Sequence, residues 1–252
     1  MSYKRKEVIG DCTLYEGDCM EVMPTMGEFG AVVTDPPYGI DIAANGTVGG
    51  GKPIMSSGRS TAPKDYGSSD WDKNGMTDEQ WNLIADKARY YVVWGGNHLA
   101  DVLGASAGVL VWDKKCQNGW DDTFSDAELA WTNALTRAKV IRHRWVGAFR
   151  DSERGANVRQ HPTQKPIAVM AWCMKWLPDS PNILDPFMGS GTTGVACVNL
   201  GRKFTGIELE PKYFDIACKR IEEAYKQPRL FEEERPAPPV QEQISFGGED
   251  DH

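Results

Sequence analysis

The sequence predicts an α/β domain built on a mostly parallel sheet. Two observations carry that expectation. Short β-branched or apolar runs recur with helix-length segments between them. One of these runs also leads straight into a GxGxxG turn, the mark of a strand that hands over to a helix beside a ligand. With 252 residues, 40% of them hydrophobic and 25% charged, the chain can bury one large core.

The strands are expected at TLYEG (13–17), AVVTD (31–35), YYVVWGG (90–96), GVLVWDK (108–114), AELAW (127–131), NILDPF (182–187) and KFTGIEL (203–209). Thr77 caps a helix with Gln80 three residues on, and the apolar residues from Trp81 to Tyr90 keep helical spacing. Pro211 opens a second helix, in which Phe214, Ala217, Cys218, Ile221 and Tyr225 form one apolar face. Two stretches break the alternation. Residues 43–70 are rich in Gly and Ser and too long for a plain connector, so they read as a functional loop or a disordered one. Residues 137–160 read as an insertion between the sheet and HPTQKP (161–166).

Charge is unevenly spread. The formal net charge of −8 by itself argues against a nucleic-acid partner. Yet Arg137, Lys139, Arg142, Arg144, Arg150, Arg154, Arg159 and Lys165 crowd one window against only Asp151 and Glu153. The acidic, Pro-containing tail has the composition of a disordered segment, which leaves 1–229 as the folded domain and 230–252 as the tail. No apolar run is long enough to span a bilayer and the start lacks a secretion signal, so a cytoplasmic protein with no membrane partner is expected. The six cysteines show neither a CxxC pair nor zinc spacing, which points to reduced thiols and no metal.

LDPFMGSGTTG (184–194) places Asp185 at a strand end ahead of Gly189, Gly191 and Gly194, and Glu208 closes the next strand. Glycines alone would also serve close helix packing. A carboxylate beside the turn suits an ammonium better than a pyrophosphate, and Glu208 can accept from ribose hydroxyls. The ligand implied is an adenosine carrying an amino acid, S-adenosylmethionine; a dinucleotide-dependent oxidoreductase is the alternative that Asp185 disfavours.

Several blocks in one order then resemble the DNA amino-methyltransferases: LYEGDC (14–19), AVVTDPPYG (31–39), VVWGGNH (92–98), VLVWDK (109–114), DAELAW (126–131), HPTQKP, LDPFMGSGTTG and GIELEPKYFDIACKRI (206–221). DPPY ahead of the glycine loop is similar to the circularly permuted β class. The resemblance implies a Rossmann-like S-adenosylmethionine-dependent methyltransferase fold with a seven-stranded, mostly parallel sheet. It assigns Asp35, Pro36, Pro37 and Tyr38 to catalysis. It assigns Asp18, Cys19, Asp35, Gln164, Lys165, Asp185, Phe187, Gly189, Ser190, Gly191, Thr192 and Glu208 to the cofactor, with Glu210 a rival for Glu208 and Gln164 and Lys165 at the cofactor's carboxylate.

The chemistry fits those residue types. An exocyclic amine conjugated to a purine is a poor nucleophile; Asp35 and the Pro36 carbonyl can accept its two hydrogens, while Tyr38 stacks on the base. Such a base must leave the duplex, so the partner implied is double-stranded DNA, met by Arg142, Arg144, Arg150, Arg154 and Arg159 with Trp145, His143 and Phe149. DPPY favours adenine N6 over cytosine N4, and a catalytically inactive DNA-binding relative is the reading of another class. The resemblance implies a restriction-modification setting in a bacterial or phage-infected cell, and leaves a homodimer open. QPRLF (Gln227 to Phe231) and QEQISF (Gln241 to Phe246) resemble the peptides that dock bacterial replication proteins on the sliding clamp, although such short patterns arise by chance and a frayed helix end followed by disorder is the favoured account.

Overall fold

The computed structural model describes residues 2–40, 47–48, 64–65, 73–116, 125–146, 149–153, 160–161, 163–178 and 182–227. Most of the 43–70 loop, Arg154, Arg159, and the tail with its two clamp-like stretches beyond Gln227 lie outside them.

Among the described residues thirteen strands follow in chain order: β1 (Arg5–Ile9), β2 (Cys12–Glu16), β3 (Phe29–Thr34), β4 (Thr47–Val48), β5 (Lys64–Asp65), β6 (Ala88–Trp94), β7 (Gly108–Asp113), β8 (Ala127–Thr132), β9 (Ala138–Arg142), β10 (Trp145–Val146), β11 (Phe149–Arg150), β12 (Asn182–Asp185) and β13 (Lys203–Glu208). The helices are α1 (Cys19–Val22), α2 (Asp78–Lys87), α3 (Ala100–Leu103), α4 (Ile167–Met174), α5 (Thr192–Asn199) and α6 (Pro211–Lys226), with a 3-10 turn at Met23–Thr25. Among the described residues no helix is long and apolar enough to cross a membrane.

The main sheet runs β1-β2-β13-β12-β3-β6-β8-β7-β9. Strands β2, β13, β12, β3 and β6 are mutually parallel, β8 runs antiparallel between β6 and β7, and β9 pairs parallel with β7. All seven expected runs are strands of this sheet. The sheet nevertheless has nine strands rather than seven. Both additions, β1 and β9, are edges whose residues are mostly exposed or only half-buried. An edge strand with charged residues and one packed face leaves no apolar run to read. Strand β9 also claims Ala138–Arg142, so the first part of the basic window belongs to the sheet rather than to an insertion.

The central strands alternate between two cores. Ala31 and Val33, Val92 and Trp94, Ile183 and Phe204 pack with α4, α5 and α6. Val32, Val93, Leu184 and Ile207 pack on the other face with Val22, Ile84 and Leu103 from α1, α2 and α3. Helix α2 carries the expected capping box, the Gln80 amide donating to Thr77 Oγ1 at 3.2 Å and the Thr77 amide to Gln80 Oε1 at 2.9 Å. It ends at Lys87, three residues before the helical spacing does, because Tyr90, Tyr91, Val92 and Val93 pair with β3 instead.

Phe204 is 2% exposed and Val8 is 64% exposed. Phe204→Ala is expected to cost about 3–5 kcal/mol and Val8→Thr less than about 0.5 kcal/mol, read from urea unfolding midpoints. Equal shifts would place β13 outside the core.

Candidate active site

Because five neighbouring strands run parallel, their carboxyl ends share one rim, where ligands of such sheets bind. Asp35 follows β3, Asp185 ends β12, Glu208 ends β13, and Gly17 and Asp18 follow β2. These ends surround a cavity of about 440 Å³. Its lining includes Asp35 and Pro37 after β3, Asp185, Phe187, Gly189, Ser190 and Thr192 at and after β12, Glu208 at the end of β13 and Asp18 and Cys19 beyond it after β2, together with Gln164 and Lys165.

The glycine loop is held by carboxylates. Glu208 accepts from the Gly189 amide and from the Glu210 amide, each at 2.8 Å. Asp185 accepts from Thr34 Oγ1 at 2.7 Å, Thr193 Oγ1 at 2.6 Å and the Phe187 amide at 3.1 Å, tying β3, the loop and α5 together. Burial pushes Asp185 up to about 6, against the pull of its hydroxyl partners, and Glu208 up to about 7, against its two amide partners. Gly191 is the N-cap of α5 with φ 78°, and a Cβ there would lie 2.8 Å from that of Ala217. Only glycine brings the loop that close to α6. From behind, Arg220 Nη1 donates to Ser190 O at 2.7 Å, Ser190 Oγ at 2.9 Å and Thr192 Oγ1 at 3.1 Å.

The Asp35 side is an ionic chain. Lys165, only 4% exposed, places Nζ 2.5 Å from Asp35 Oδ1 and 3.2 Å from Glu128 Oε2. Lys114 Nζ lies 2.9 Å from Glu128 Oε1. The Tyr38 hydroxyl donates to Asp35 and accepts from Lys165 at 3.1 Å. Burial alone would lower the Lys165 pKa, but Asp35 and Glu128 raise it. Burial raises Asp35 against the opposing charge of Lys165. Glu128 is also pushed up by burial, yet Lys165 and Lys114 outweigh that and hold it at about 2.

Tyr38 is not an open ring. It is half-buried and stacks on His98, with centroids 5.3 Å apart and planes 16° apart. A Cβ at Gly95 would lie 2.1 Å from its ring, so this packing requires glycine there.

All the cofactor-side residues expected from sequence except Gly191, which packs against Ala217, line this one cavity, but Lys165 is tied to Asp35 and Glu128. Gln164 is buried and accepts from the Gln160 amide at 2.9 Å and from Ser190 Oγ at 3.4 Å. Asp18 caps α1 by accepting from the Met20 amide at 2.8 Å. On the basic window, Arg142 and Arg144 are exposed or half-exposed and pair with Asp113 at 3.6 Å and Asp151 at 3.3 Å, and Arg150 lies over the Trp145 ring at 5.0 Å. Trp145 and His143 are buried, Trp145 in the core, so neither is a surface aromatic as expected. An aromatic flanked by arginines reads as surface, whereas here the Trp145 ring joins the core with the Arg150 guanidinium over it. Glu128, His98 and Arg220 carry no assigned role in the sequence, although each lies in a motif block.

Comparison with known proteins follows the same outline. The DNA methylase family pattern matches residues 109–219. Type II methyltransferase M2.LlaDCHI of Lactococcus lactis subsp. cremoris is 44% identical over 85 residues, 33% of this chain and 31% of that protein. Type II methyltransferase M2.DpnII of Streptococcus pneumoniae is 42% identical over 93 residues, 36% of this chain and 29% of that protein. The chain thus spans about three tenths of the length of these curated relatives. Among solved structures, the M1.HpyAVI–SAM complex superposes with a TM-score of 0.52 at 23% identity, covering 83% of this chain and 98% of that one. The cytosine-N4-specific PvuII DNA methyltransferase does so with 0.52 at 15%, covering 89% and 95%. The chain has the fold of the DNA methyltransferases and, over 109–219, their sequence pattern. That span holds Glu128, Lys165, Asp185 and Glu208 but not Asp35, which joins them through the Lys165 ion pair.

A carboxylate whose folded pKa is raised holds its proton longer in the folded than in the unfolded state, so stability is fullest at low pH and falls as pH rises through the shifted range. For Glu208 that range runs from 4.5 to about 7. Urea unfolding at pH 5, 6 and 7 should show a negative slope that Glu208→Gln reduces; an unchanged slope contradicts the assigned burial.

Proposed function

We propose that this protein is a DNA methyltransferase that carries a methyl group from S-adenosylmethionine to the exocyclic N6 of an adenine flipped out of double-stranded DNA. The observation that carries the reading is that Asp35 opens into the same cavity as the glycine loop and its two carboxylates.

The lining suits this cofactor. Asp185 and Glu208 repel phosphate and favour an ammonium and ribose hydroxyls, while the amino end of α5 favours a carboxylate. Gln164, Ser190 and Thr192 would hold the amino-acid end, and Asp18 and Cys19 the adenine. When bound, the cofactor supplies a methyl group on a sulfonium, activated toward a nucleophile.

Asp35 and the Pro36 carbonyl accept the two amine hydrogens, which localises the nitrogen lone pair on the transferring methyl. After transfer the nitrogen is cationic; its N–H bond breaks, Asp35 takes the proton, and the neutral methylamine remains. Tyr38, backed by His98, supplies the aromatic surface, which offsets part of the few kcal/mol that flipping costs. Positioning does the rest.

The DNA reading is supported by the same rim. Strand β9 runs parallel to β7, so Arg142 emerges on the side where Asp35 lies. Arg142→Glu is expected to weaken binding to duplex DNA and to flatten its salt dependence by about one unit of slope; fluorescence anisotropy from low to moderate salt checks this, and an unchanged slope refutes the contact.

The reading itself is tested by transfer of a tritiated methyl group to duplex DNA. Asp35→Ala should lower incorporation roughly 100-fold or more while calorimetry shows that it still binds S-adenosylmethionine. An active Asp35→Ala protein, or a wild type that binds no cofactor, contradicts it.

A further inference from the structure

Resting on that reading, the ionic chain behind Asp35 poses a chemical problem. An ammonium 2.5 Å from Asp35 competes with the target amine for the carboxylate, and its charge opposes the positive charge gathering on the attacking nitrogen. Alone, Lys165 would hinder the step that Asp35 serves. Glu128 changes the balance, because its Oε2 lies 3.2 Å from the same Nζ and shares the cation. Its other oxygen is fixed by Lys114 at 2.9 Å.

Topology puts Glu128 there. Strand β8 is antiparallel, so its first residues, not its last, reach the rim where the parallel strands end. Glu128 is the second residue of β8, two before Ala130, which pairs with Trp94 at the end of β6. Lys165 arrives from the segment before α4, lies 5.2 Å from the Trp94 ring centre and 5.6 Å from that of Tyr38, and so is boxed in by aromatic faces.

We propose that Glu128 is a positioning residue for methyl transfer, drawing the Lys165 ammonium partly off Asp35 so that Asp35 stays a strong acceptor aimed at the target amine. The charged and titratable groups that face Asp35 are Lys165 from the loop before α4, Glu128 from β8, Asp185 from β12 and Tyr38 from its own turn, with Lys114 of the β7 end behind Glu128.

The test is the pH profile of kcat for the protein on duplex DNA. Glu128→Gln leaves Lys165 wholly on Asp35, so the acid limb moves to lower pH while the plateau falls roughly tenfold or more. Lys165→Met removes the cation and moves the acid limb to higher pH. KM for S-adenosylmethionine should change less than about threefold in Glu128→Gln, since Glu128 does not line the cavity. Opposite displacements support the proposal, because general damage to the fold lowers activity without moving the limb in opposite directions. An acid limb that stays put in Glu128→Gln, or a kcat equal to wild type, overturns it, and this isosteric variant decides alone should Lys165→Met fail to fold. A wild type that transfers no methyl group refutes the underlying reading instead.

Discussion

The structure turns on one buried ammonium. A lysine charge taken from water must be paired and hydrogen-bonded where it lies, and Lys165 meets that demand with Asp35, Glu128 and the Tyr38 hydroxyl. Those partners come from the turn after β3 and from the start of β8. One cation thereby joins the turn that carries the proposed amine acceptor to the segment leading into α4 and the glycine-loop half of the molecule. His161, Thr163 and Gln164, which line the cavity with Lys165, ride on the same segment, so placing the charge also places them.

Around that point the rim divides by chemistry. On the glycine-loop side, carboxylates already occupied by backbone amides and hydroxyls shape a polar cradle and sit at raised pKa values. On the Asp35 side, Lys114, Glu128, Lys165 and Asp35 alternate in charge through successive ion pairs, and Lys165 opposes the upward push of burial on Asp35. Arg220 and Ala217 brace the loop from behind through α6. The α/β scaffold does little more than bring strand ends together, and function follows from which side chains those ends carry.

What could be read from sequence follows the range of the interactions. The seven apolar runs announce buried strands because both faces are covered, whereas β1 and β9 show no such pattern at the sheet's edges. Asp185, Gly189, Gly191 and Glu208 are legible because a strand, a tight turn and a carboxylate form a local pattern. Lys165 could be placed at the cavity but not assigned its partners, since Asp35 and Glu128 are distant in the chain and meet only through strand order. Glu128 was invisible as a site residue because its position depends on β8 running backwards. Trp145 misleads for the same reason, its surroundings in sequence being basic and its surroundings in space apolar.

The claim that one cavity seats the methyl donor beside the amine of a flipped base is tested most directly by the chemical identity of the product. Duplex DNA incubated with the protein and S-adenosylmethionine bearing a deuterated methyl group, then digested to nucleosides and analysed by mass spectrometry, should contain N6-methyladenine that carries the label. Label on cytosine N4 would keep the cavity and overturn the choice of base. DNA without label, from protein shown by calorimetry to bind the cofactor, would contradict the account.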